Sequence, residues 1–168
     1  FLRLRAADLL SSRQVEVKLL YSPVNSANAE RYAEIFGAKA ADSPEAIIND
    51  PEIDVVCVFV PPFVRKEYVL AAAKAGKQIV ATKPLAADLS DAREMTEAVE
   101  QAGVRCGVIY RRTNNPVIEA YKEIFSGGEF GKLALYKQDW LHHYPTWNRW
   151  ATDPKKMVAH SWTLCCII

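Results

Sequence analysis

Apolar positions along the chain alternate between two patterns. Short continuous runs rich in β-branched residues predict strands, and stretches with a 3.6-residue period predict amphipathic helices. In order, the pattern predicts helix around 2–12, strand 15–21, helix 27–36, a short extended piece 38–41 and helix 44–49. Strand 54–60, helix 63–75, strand 77–82, helix 89–102 and strand 104–110 follow. The run Ile53-Asp-Val-Val-Cys-Val-Phe-Val60 is apolar at nearly every position, so it reads as a strand buried on both faces. Pro61 and Pro62 open the next helix and Gly76 stops it, while Asp88 and Ser90 offer caps for the helix that ends at Gly103. Such a β/α series defines the α/β class, a mostly parallel sheet with helices on both faces, and 54–82 forms one right-handed crossover unit.

After Tyr110 the style changes. Pro116 to Phe125 predicts a short helix, Gly127-Gly128 breaks it, and Lys132 to Leu141 reads as a long strand of partly alternating pattern. This is the expected beginning of an α+β domain with an open antiparallel sheet, with the boundary near residues 111–115. The expected domains are therefore 1–112 and 113–156.

One charged position stands out against this pattern. The run Gln78-Ile-Val-Ala-Thr82 delivers Lys83, stiffened by Pro84, to the carboxyl edge of the sheet, where open α/β folds bind their ligands. Lys83 is the leading candidate for chemistry. The plainer alternative is a solvated charge at a strand end; the crossover unit around it argues for a site.

Composition narrows the class. The 168 residues are 50% hydrophobic and carry a net charge of +1, in mixed rather than blocked order, which suits a globular domain and gives no basic stripe for nucleic acid. No apolar run reaches membrane-spanning length. Cys57 and Cys106 fall in predicted strands as small buried hydrophobes, and Cys165-Cys166 are adjacent, so none has metal-ligand spacing and a cytoplasmic, disulfide-free protein is expected. His142-His143 cannot easily share one ion, because neighbouring strand side chains point to opposite faces; no metal is expected. Phe1 opens on what reads as the middle of a helix, so the chain is expected to begin inside a longer protein.

Several motifs in order, Asp50-Pro-Glu-Ile-Asp-Val-Val56, Val60-Pro-Pro62, Ala71-Ala-Ala-Lys-Ala-Gly-Lys77, Thr82-Lys-Pro-Leu85 and Gly127-Gly-Glu-Phe-Gly-Lys132, resemble the Gfo/Idh/MocA family of NAD(P)-dependent oxidoreductases. The resemblance implies a Rossmann-type doubly wound parallel sheet followed by a second domain whose open sheet often forms the oligomer interface. It also implies a first strand and glycine-rich phosphate loop upstream of Phe1. Without that central strand, the strands on either side of it would face unpaired backbone groups, and the isolated chain is expected to be unstable or to aggregate.

The resemblance assigns roles residue by residue. Lys83 acts near nicotinamide and substrate, orienting an oxygen and stabilising charge that develops in hydride transfer. Val60, Pro61 and Pro62 pass under the nicotinamide ribose, and Thr82, Lys83 and Pro84 stand where the family has Glu-Lys-Pro. Tyr21 and Ser22 end the strand that reads the adenosine ribose; a serine in place of the usual acid can donate to a 2′-phosphate, which tilts the expected cofactor, NAD or NADP, toward NADP. Tyr110 matches the family's tyrosine, whereas Thr113-Asn114 replaces the usual Arg-Phe, so Arg111 or Arg112 would contact substrate instead. Apart from the resemblance, Trp140, Trp147 and Trp150 near His142-His143 would wall a sugar pocket through their aromatic faces, or equally pack between domains, which makes His142 and Trp147 candidate substrate contacts. Family members often have His where Arg65 stands. The expected substrate is a sugar, cyclitol or related polyol, and the expected assembly a homo-oligomer. A regulator that binds dinucleotide without chemistry, or an inactive gene fragment, are the alternatives.

From Met157 the sequence fits neither the preceding pattern nor the family, which has a glycine-rich strand and then Asp-x-x-x-His. Back-translation read from the last base of each codon forces Gly at Met157/Val158 and Asp at Trp162/Thr163, and permits the whole family pattern. Residues 157–168 are thus expected to be an out-of-frame tail, His160 is not the family's catalytic histidine, and no turnover is expected from the chain as it stands.

Overall fold

The computed structural model describes residues 14–110, 115–129 and 131–132. In chain order the elements are β1 (Leu19–Leu20), α1 (Ser26–Phe36), β2 (Lys39–Ala40), α2 (Pro44–Ile48), β3 (Val55–Val58), α3 (Pro62–Lys74), β4 (Gln78–Thr82), α4 (Leu89–Ala102), β5 (Cys106–Ile109) and α5 (Pro116–Ser126). The α/β alternation is as expected. Strands β1 and β5 are shorter than their apolar runs, because only part of each run finds a ladder partner.

Local chemistry sets the helix ends. Ser43 caps α2 by accepting from the Ala46 N–H at 3.2 Å, and Asp88 caps α4 by accepting from Asp91 N–H at 2.8 Å. Helix α3 starts on Pro62 and is followed by Gly76 at φ 71°, and α4 stops on Gly103 at φ 65°, left-handed positions where a Cβ is disfavoured.

Strand pairing is parallel within each sheet whose register is defined. Leu19 and Leu20 of β1 face Lys39 and Ala40 of β2, and β3 runs beside β4 with Val55 opposite Gln78 and Val58 opposite Ala81. Strand β5 flanks β4, with Ile79 N–H donating to the Arg105 carbonyl at 2.8 Å. Among the described residues β1–β2 and β3–β4–β5 are separate sheets.

One hydrophobic core lies between the larger sheet and helices α3 and α4. Val56, Val58, Ile79 and Ala81 supply the strand side; Val69, Ala72, Ala73 and Met95 supply the helix side. Lys66 on α3 bridges Asp91 at 2.7 Å and Glu94 at 2.9 Å on α4, tying the two helices at the surface.

Two expectations are corrected here. Strand β3 is buried on one face only: Val56 and Val58 are buried, whereas Val55 and Cys57 are exposed. Helices α3 and α4 cover one side, and no described helix buries the other. For the same reason Cys57 is not a buried hydrophobe, although partial desolvation still pushes its thiol up; Cys106 is half-buried, and its thiol is pushed up by the same cause.

The chain divides into two units, 1–108 and 109–168. In the second, α5 is an amphipathic helix capped by Asn115, whose Oδ1 accepts from the Val117 N–H at 2.9 Å, with Tyr121 and Phe125 in tilted ring contact. The expected helix 2–12, the strand 132–141 beyond Lys132 with its antiparallel sheet, and the tail 157–168 lie outside the described residues.

Candidate active site

The parallel register decides which loops meet. Because Val58 faces Ala81, the chain leaves β3 through Val60-Pro61-Pro62 and leaves β4 through Thr82-Lys83-Pro84 at the same sheet edge. The two segments that sequence singled out are therefore neighbours. Pro61 and Pro62 lack backbone N–H groups, so this loop presents an apolar wall and α3 begins without a donor to lose. Lys83 is exposed and makes no hydrogen bond or ion pair among the described residues, so its ammonium is available to a ligand. The Lys83–Pro84 peptide is cis.

A residue noted in the sequence only as a departure holds these loops together. Arg65 is 1% exposed, on the buried stripe of α3 formed with Pro62, Val69, Ala72 and Ala73. Its Nη1 donates to the carbonyls of Thr82 at 2.5 Å, Leu85 at 3.0 Å and Pro84. Its Nη2 donates to the Val60 carbonyl at 2.5 Å and to Thr82 Oγ1 at 2.7 Å. Nε has no partner among the described residues. Burial pulls the guanidinium down from its ordinary value to about 10, which leaves it charged at neutral pH. A charge at helical spacing within an apolar stripe was the signal that could have marked it, since such a charge needs partners.

At the end of β1, Ser22 Oγ accepts from the Asn25 N–H at 3.4 Å. That contact uses a lone pair and leaves the hydroxyl hydrogen to donate elsewhere. Desolvation, and after it the charge of Tyr21, pushes the Tyr68 phenol of α3 up. Arg31 is on the exposed surface of α1. Tyr110 is 54% exposed and belongs to the second unit. Arg112, His142 and Trp147 lie outside the described residues.

One depression on the first unit lies elsewhere. About 570 Å³ in volume, it is lined by Val55, Gln78, Ile79, Val80, Arg105 and Gly107, at the amino-terminal half of the strands. It follows from the uncovered face of β3 and holds no chemistry-bearing cluster. Among the described residues no group of three or more His, Cys, Asp or Glu could hold a metal, and no helix is long and apolar enough to cross a membrane.

An unpaired ammonium thus stands beside an apolar proline wall, while Ser22 lies at the end of β1 in the other sheet. A family model described as "Oxidoreductase family, NAD-binding Rossmann fold" matches residues 3–110. The chain is 34% identical over 110 residues to scyllo-inositol 2-dehydrogenase (NAD(+)) of Bacillus subtilis (strain 168), covering 65% of this chain and 32% of that protein. It is 37% identical over 111 residues to 1,5-anhydro-D-fructose reductase of Ensifer adhaerens, covering 64% and 33%. The chain spans about a third of the length of these curated relatives. In fold it is similar to biliverdin reductase from Synechocystis sp. PCC 6803, solved with biliverdin and NADP+, with a TM-score of 0.72 at 23% identity over 93% of this chain and 49% of that one.

Proposed function

Since the chain belongs to the oxidoreductase family with an NAD-binding Rossmann fold, we propose that this protein transfers a hydride between NAD or NADP and a CH–OH carbon of a sugar, cyclitol or related polyol. The observation that carries the reading is Lys83, unpaired at the carboxyl edge of β4 beside Val60-Pro61-Pro62. The bound nicotinamide supplies the hydride acceptor or donor. Lys83 holds the substrate oxygen by a charge-assisted hydrogen bond and stabilises the negative charge that grows there in the direction of reduction, while a histidine of the second domain takes up or returns the hydroxyl proton. Pro61 and Pro62 exclude water from the nicotinamide side without offering a competing N–H donor. Ser22 donates to the adenosine ribose or its 2′-phosphate, which favours NADP. Tyr110, Arg112, His142 and Trp147 complete the substrate side, and the working protein is a homo-oligomer.

The relatives' names, scyllo-inositol 2-dehydrogenase and 1,5-anhydro-D-fructose reductase, support the polyol class. A regulator that binds dinucleotide without catalysis draws its weight from the departures at Arg65, Thr82 and Thr113-Asn114. The 2.7 Å bond between the Arg65 and Thr82 side chains bears on the first two, which fit each other.

Reduced-nicotinamide absorbance in the full gene product, with NAD+ or NADP+ and a panel of inositols and sugars, tests the proposal. Turnover is expected, and Lys83→Ala is expected to lower kcat by about a hundredfold or more while dinucleotide binding persists. Dinucleotide binding with no turnover of any polyol would favour the regulator.

A further inference from the structure

We propose that Arg65 is a positioning residue: its guanidinium locks the loop after β3 to the loop after β4 and so fixes where Lys83 is presented. The inference rests on the reading of Lys83 as the cation that polarises the substrate oxygen.

Arg65 contacts oxygens on both sides of the site at once, Val60 on one loop and Thr82, Pro84 and Leu85 on the other. The five contacts fall on the four hydrogens of Nη1 and Nη2, so at least one hydrogen is shared, and the acceptors flank Lys83 on both sides in the chain. None of them is a carboxylate. The charge is held by carbonyl dipoles and one hydroxyl, an arrangement that costs desolvation and that an apolar residue at this stripe position would avoid. Its neighbours on the stripe, Val69, Ala72 and Ala73, are apolar and equally buried. What the guanidinium adds over them is a rigid planar fork that reaches two loops simultaneously, which a lysine ammonium, a point donor on a flexible stem, cannot reproduce. Family members often have His at position 65 and have Glu at 82; here the side chains at both positions bond to each other at 2.7 Å, so they act as one unit. With Thr82 in place of an acid, Lys83 has no carboxylate neighbour to orient it among the described residues, so its placement falls to the loop geometry that Arg65 sets.

The test compares wild type with Arg65→Lys in the full gene product by amide hydrogen exchange and by kinetics. Exchange in segments 59–64 and 82–87 is expected to rise by roughly tenfold or more, with segment 89–102 unchanged. The kcat is expected to fall by about a hundredfold at an unchanged dinucleotide dissociation constant. In a Lys83→Ala background the same change is expected to cost little further kcat, because it acts through Lys83. Unaltered exchange in both loops, or the same kcat loss with and without Lys83, would overturn the inference. Absence of turnover in the wild type would instead overturn the proposed function, and exchange alone would then decide whether Arg65 is the lock. Should Arg65→Lys fail to fold, Thr82→Val, which removes one acceptor, carries the same comparison.

Discussion

At the scale of single residues, the site turns on three neighbours with different roles. The placement of Lys83 was legible from sequence because it is local: a strand followed by a charge and a proline delivers that charge to the sheet edge. Arg65 was not, because its partners lie 17 to 20 positions away, except for Val60 at 5, and only the packing of α3 beside β4 brings them within reach. Thr82 connects the two. Thr82→Val keeps size but deletes the Oγ1 acceptor, leaving a buried guanidinium hydrogen unpaired, and is expected to cost about 1–3 kcal/mol in urea unfolding. Thr82→Ser keeps the acceptor and is expected to lie within about 0.5 kcal/mol of wild type. Equal losses for the two would mean that the hydroxyl contact contributes nothing.

At the scale of elements, helix ends were the most legible part of the fold. Asp88, Gly76 and Gly103 act through bonds and backbone angles within one turn, so the expected span of α4 coincides with the observed one. What holds one helix to the next was not legible. Lys66 pairs with Asp91 and Glu94, which only the α3–α4 packing brings to it. Hydrogen bonds to these two carboxylates, Asp91 first, raise the Lys66 pKa above its ordinary 10.5. The folded state therefore holds this proton more tightly than the unfolded chain. The contribution is complete below pH 10.5 and is lost as pH rises through the higher folded value. The difference in melting temperature between wild type and Lys66→Met should be flat from neutral pH to about pH 9, narrow above 10.5, and shrink with added salt. A difference that widens in alkali would contradict the assignment.

For the whole molecule, burial is the property that sequence misjudged and structure corrected. The apolar run of β3 looked equally buried on both sides, yet Ile79 of the neighbouring strand is 2% exposed while Val55 is 47% exposed. Ile79→Ala should accordingly cost about 2–5 kcal/mol, and Val55→Thr should stay within about 0.5 kcal/mol of wild type, both read from urea midpoints at constant slope. A large loss at Val55 would show that this face is covered in the working protein. The order of strands and helices, the helix caps, the family and the position of Lys83 at a sheet edge were all determined by sequence, because periodicity, capping and turn chemistry operate over a few residues. Which face of a strand is buried, which loops share an edge and where a buried arginine finds its oxygens were decided by the tertiary structure. Those properties depend on the register of parallel strands and on helices laid across them, contacts between residues that are distant in the chain and that no local pattern encodes.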